Sequence, residues 1–130
     1  MVNFKTLSVS DLISRLHDAI ASFIKNIEDA VDMNNKADMD EIITIRDHIT
    51  KKLQNGEDIK DNTKIIELLD LLSRDKMILE VVKDDASEWL DILEAIEGQM
   101  AGHRPMSEQD KQELIKINAM TGELKELIRK

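Results

Sequence analysis

The chain of 130 residues carries 18 basic against 27 acidic side chains, a net charge of −9, with 42% hydrophobic and 35% charged residues. That size suits one domain able to bury its own core, and the acidic balance argues against general binding to nucleic acid or anionic membranes. Cysteine is absent, which excludes disulfides, thiol catalysis and cysteine-based zinc or iron–sulfur centres.

Met1-Val2-Asn3-Phe4-Lys5 shows no basic region leading into an apolar run, and uninterrupted apolar runs reach only three residues, as in Met77-Ile78-Leu79. Neither a signal peptide nor a membrane span is expected, so the predicted home is cytoplasmic. With four glycines and one proline, the turns of a many-stranded fold are lacking. The aromatic content of 2% leaves Leu, Ile, Val, Ala and Met to build the core.

The first predicted helix starts at Ser8 or Ser10, where Ser8 and Asp11 form a capping pair. Its apolar face runs through Val9, Leu12, Ile13, Leu16, Ile20, Phe23, Ile24, Ile27 and Val31, in steps of three and four. The pattern persists to about Met33, which makes this a long helix. Asn34-Asn35-Lys36-Ala37-Asp38 weakens it, and Asp38 reads as a fresh N-cap. The second helix buries Ile42, Ile45, Ile49 and Leu53 and stops at Gly56.

From Asn62 to Gly98 there is neither glycine nor proline until the end, and Gly98 reads as a C-terminal cap. The stripe of this third helix is Ile65, Leu68, Leu69 and Leu72, then Leu79, Val82, Ala86, Trp89, Leu93 and Ile96. Between its halves, Ser73-Arg74-Asp75-Lys76 marks a kink, a break or a charged layer. Residues 99–106 read as a linker between a main body, 1–98, and a C-terminal helix, 107–130. That last helix has Leu114, Ile117, Met120, Leu124, Leu127 and Ile128 on one face and is weakened by Gly122.

These stripes predict an all-α fold: one helical domain over 1–130, an elongated antiparallel bundle of about four helices with long first and third members. No chemistry is legible in it. His17 and His48 lack the Glu-x-x-His spacing of a di-iron bundle, and His103 lies in the linker. Asp32-x-Asn34-x-Lys36 departs from a calcium loop, with Ala37 and Ile43 where glycine and glutamate are needed. Phosphate-binding loops and nucleophile elbows are missing, so the expectation is a non-enzyme without cofactor or metal.

Two features remain as candidates for binding. Leu79, Val82, Trp89, Leu93 and Ile96 form either part of the core or a partner-facing stripe anchored by the single tryptophan. Asp84, Glu88 and Asp91, with Asp85, Glu94 and Glu97 alongside, form an acidic ridge at helical spacing. It is either a solvated face or a seat for a basic partner.

The run Leu12 to Leu53, with its Asn34–Asp38 interruption, and the stripe Ile65 to Ile96, broken by Ser73-Arg74-Asp75-Lys76, resemble the bacterial flagellar type III export chaperones of the filament-cap and hook-junction families. The Tyr-Gly element common near the end of those proteins has no counterpart here. The resemblance implies a cytoplasmic chaperone or adaptor of secretion that holds an amphipathic helix of a partner protein, such as a secreted flagellar subunit. It also implies a C-terminal helix able to cover the groove as a detachable lid. Two other readings stand beside it: an acidic inhibitor, of the kind phages encode, that blocks a nucleic-acid-binding protein, and a structural bundle subunit of a larger assembly. Direct contact with nucleic acid or membrane is not expected, and an exposed end of the third helix offers a route to a homodimer.

Overall fold

Serine and aspartate side chains cap the starts of four of the described helices. The computed structural model describes residues 4–28 and 36–129. A 3-10 turn over Phe4–Thr6 leads into α1 (Val9–Glu28), followed by α2 (Lys36–Gln54), α3 (Asn62–Arg74), α4 (Lys76–Asp84), α5 (Ala86–Ala101) and α6 (Glu108–Arg129). Among the described residues there is no strand, and no helix is long and apolar enough to cross a membrane.

The caps are local and explicit. Ser8 Oγ accepts the Asp11 amide at 3.2 Å to start α1, and Asp61 accepts the Thr63 amide at 3.1 Å to start α3. Ser107 Oγ accepts the Asp110 amide at 3.0 Å to start α6. At the end of α2, Gly56 takes φ 91°. Its amide bonds Leu53 O and the Glu57 amide bonds Lys52 O, both at 3.0 Å. This paired closure of a helix C-terminus suits glycine, which has no Cβ to clash at positive φ.

The long third segment, for which the sequence allows a kink, a break or a charged layer at Ser73–Lys76, is three helices. Asp75, extended at φ −92° and ψ 118°, ends α3 and starts α4. Its Oδ1 accepts the amides of Met77 and Ile78 at 2.9 and 3.0 Å. The interruption at Ser73–Lys76 is therefore a break. A second break, at Asp85, was not anticipated. Gly98 does not end the helix, because α5 continues to Ala101 and buries Met100. The linker is correspondingly shorter than 99–106. Asp38 is not a cap either, since α2 already runs from Lys36. The stretch of the first predicted helix beyond Glu28, with Val31, lies outside the described residues, as does Asp32 to Asn35 of the discounted calcium loop.

α1 packs on α2 and α3, α2 also on α5, and α6 on α3 and α5, so five helices surround one core in the order α1, α2, α5, α6, α3. The short α4 touches α1, α3, α5 and α6 as it carries the chain from α3 to α5. The predicted faces supply most of the core: Leu12, Leu16, Ile45, Ile49, Ile65, Leu68, Trp89, Ile117 and Leu124 are all buried. Each Leu or Ile so buried contributes about 1.5–3 kcal/mol. Ile59, in the α2–α3 connection, is a buried peg that holds that loop down.

Glycine substitutions separate these helix boundaries from the expected ones. Nothing lies within 4 Å of a Cβ added at Gly98 or Gly122. Gly98→Ala and Gly122→Ala should each stabilise the protein by about 0.5–1 kcal/mol. Gly56→Ala, at positive φ, should destabilise it by about 1 kcal/mol. Urea-unfolding midpoints measure all three.

Candidate functional site

Arg46 occupies a position on α2 that its neighbours reserve for apolar side chains, four residues after Ile42 and three before Ile49. It is 2% exposed. Its Nη1 donates to Asp85 Oδ2 at 2.6 Å, and its Nε and Nη2 donate to Asp47 Oδ1 at 3.0 and 2.8 Å. The guanidinium carbon lies 5.3 Å from the ring centroid of Trp89, a cation–π arrangement. Burial works against the charge, but the hydrogen bonds that Arg46 donates to Asp85 and Asp47 and their negative charges outweigh it, and the Arg46 pKa is raised. The same hydrogen bond from Arg46 holds the Asp85 carboxyl below its ordinary value.

The expected partner-facing stripe lies around this cluster. Val82, Trp89, Leu93 and Ile96 are between 1 and 3% exposed, and Leu79 is half-buried against the core. Val82 and Leu79 belong to α4 and the other three to α5, so the stripe bends at Asp85 instead of following one helix. In this conformation it is covered. Large apolar side chains on the surface are few among the described residues: Met77, Met106 and Ile115.

The acidic ridge is divided at the same point. Asp84 ends α4, whereas Glu88 and Asp91 lie on α5. All three are exposed, so they form an accessible negative surface, though not one face of one helix. Asp85 is committed to Arg46, and Glu97 pairs with Lys125 of α6 at 2.9 Å.

A second polar cluster joins α3, the α5–α6 loop and α6. Asp110 accepts Asn62 Nδ2 at 2.6 Å and the Met106 amide at 2.9 Å, and it meets His103 Nε2 at 3.0 Å. The bond from the Met106 amide leads in lowering the Asp110 pKa, followed by His103 and its charge, then Asn62. Beside it a cleft of about 540 Å³ is floored by Ile59 and Met100 and rimmed by Asp58, Lys60, Arg104 and Met106. The other histidines do structural work at the margins: His17 reaches Asp18 at 3.4 Å, and the His48 ring sits 5.8 Å from that of Phe4. Among the described residues no group of three or more His, Asp or Glu side chains could hold a metal ion.

Helical periodicity alone could have found Arg46, since 42, 45, 46, 49 and 53 share one face. Thr121, four residues after Ile117 and three before Leu124, was legible in the same way. It is fully buried with its hydroxyl donating to the Ile117 and Asn118 carbonyls. Nothing in the local sequence marks Asp85 as the partner of Arg46. Comparison with protein-family models, with curated proteins and with solved structures finds no match.

The clusters make two measurable demands. Trp89→Ala removes a buried ring and the face on which Arg46 rests, and should cost about 3–5 kcal/mol in chemical denaturation. The lowered pKa values of Asp85 and Asp110 mean that the native state holds its protons more weakly than the unfolded chain. Their contribution is complete above the ordinary aspartate value of 3.8 and is lost as pH falls through the lowered ones. Stability measured from pH 6 down to acid should decline less steeply below about pH 4 in Asp110→Asn than in the wild type.

Proposed function

We propose that this protein is a non-enzymatic binding module, a cytoplasmic chaperone or adaptor that holds an amphipathic helix of a partner protein. One observation carries the reading. Among the described residues large apolar side chains are almost all covered, yet the final described helix lies on α3 and α5 as a docked amphipathic segment. α6 buries Leu114, Ile117, Thr121, Leu124 and Ile128 there. A partner helix can reach Trp89, Leu93 and Ile96 only by displacing a helix already present. α6 is joined to α5 by the segment 102–107, which gives it room to swing aside while α3 and α5 keep their places.

The resemblance to flagellar export chaperones supports this choice, and a secreted subunit with an amphipathic end is the kind of partner it implies. Glu97–Lys125 and the Asp110 cluster hold α6 in place, while Gly122 weakens its centre. Both features suit a cover that stays closed until a stronger helix competes for the seat.

A second reading is favoured by the exposure of Asp84, Glu88 and Asp91 on a chain of net charge −9. It is an acidic inhibitor that occupies the basic surface of a nucleic-acid-binding protein. Salt separates the two. Helix capture rests on apolar burial and tolerates added salt, whereas charge mimicry weakens steeply as screening lengths fall from ~10 Å toward ~3 Å.

Truncation after His103 tests the first reading. The shortened chain should remain soluble, unfold cooperatively and bind its partner more tightly than the full chain, since the competing helix is gone. Aggregation or loss of cooperative unfolding would make α6 an integral part of the core and reject the displacement mechanism.

A further inference from the structure

The two breaks in the segment 62–101 have different origins. The break at Asp75 is self-sufficient, because the Asp75 carboxylate caps the first amides of α4 at 2.9 and 3.0 Å. The break at Asp85 has no such local cause. Its surroundings, Lys83-Asp84-Asp85-Ala86-Ser87, contain neither glycine nor proline, and the Asp85 side chain makes no capping hydrogen bond to α5. Its carboxylate points instead to α2, where Arg46 Nη1 holds it at 2.6 Å.

We propose that the Arg46–Asp85 pair is a latch that imposes the bend between α4 and α5, and that residues 76–101 run as one continuous helix when the latch is released. In the bent state the first amides of α5, those of Ala86, Ser87 and Glu88, have no helical acceptor and no side-chain cap. A continuous helix supplies all three with carbonyls four residues earlier, at Val82, Lys83 and Asp84. Straightening withdraws α4, with its buried Ile78 and Val82, from α1 and α6 and turns it at the Asp75 corner, which keeps its first residue beside the end of α3. Three backbone hydrogen bonds gained stand against two apolar side chains uncovered, contributions of similar size, so the ion pair decides between the states.

The inference does not depend on any partner. Straightening would, however, place Leu79 and Val82 in line with Trp89, Leu93 and Ile96, joining the halves of the stripe that the bend now separates. The two halves of the latch are also unequal. Asp85 is 39% exposed and Arg46 only 2%, so the aspartate is the half of the latch that solvent reaches.

Amide hydrogen exchange of the full chain, read residue by residue by NMR, tests this without a binding assay. In the wild type, Ala86, Ser87 and Glu88 should exchange quickly. In Asp85→Ala they should slow by about tenfold or more, as the new helical bonds form. Arg46→Met should produce the same slowing from the other side of the pair. Ala86→Pro suits the first position of α5 but blocks a continuous helix, so adding it to Asp85→Ala should return Ser87 and Glu88 to fast exchange. Folded Asp85→Ala and Arg46→Met proteins that keep wild-type exchange at these amides would overturn the proposal. Failure of both variants to fold would overturn it too, by making the pair a requirement of the fold instead of a latch.

Discussion

Arg46 must be kept charged inside a core of leucine and isoleucine, and much of the arrangement around it answers to that demand. A guanidinium removed from water and left alone would cost several kcal/mol. Here it is bridged by two carboxylates and rests on the face of Trp89. Asp47 comes from the same turn of α2, but Asp85 has to be brought from 39 residues away. Holding it there sets where α4 ends, where α5 begins and how α5 lies along α2. The Asp47 and Asp85 side chains remain partly in water, at 57 and 39% exposure, which spares the cluster the cost of burying three charges together. Gln99, further along α5, donates to the Leu53 carbonyl at 3.0 Å and joins the same two helices near their ends.

Apolar periodicity made most of this fold readable. Faces at steps of three and four identified the buried positions of α1, α2 and α3, and Ser8 and Gly56 marked the start of α1 and the close of α2. At Asp75 periodicity marked an interruption without fixing its kind, and the carboxylate turning back on Met77 and Ile78 makes it a break. Gly98 misled in the opposite sense. It stays inside α5, which carries on to bury Met100 and ends at Gly102 instead.

The candidate site was legible in part, for a related reason. Trp89 and its neighbours were identified as one stripe because burial follows spacing along a helix. Their bending at Asp85 was not visible, since the ion pair responsible connects positions 46 and 85 through space. Spacing along one element carries no information about a charge on another. The acidic ridge suffered likewise: Asp84, Asp85, Glu88 and Asp91 look equivalent in the sequence, yet Asp85 alone is tied to Arg46. The Asp110 cluster, which joins Asn62, His103 and Met106, draws on two helices and a loop and could be assembled only in three dimensions.

Asp75 has a bearing on how such a chain can change its length. A connection of one residue, whose amide turns back toward Leu71 and whose carboxylate serves the next helix, has no slack. An inserted residue there would rotate α4 by about 100° about its axis, turning Ile78 and Val82 from the core to water. The Asp85 corner is equally tight. Among the described residues, growth or shortening is therefore channelled to the segments 55–61 and 102–107, where Ile59 alone is buried and the exposed backbone around it and around the His103 and Met106 bonds to Asp110 can absorb extra residues. The inner corners keep their length, and the loops carry the variation.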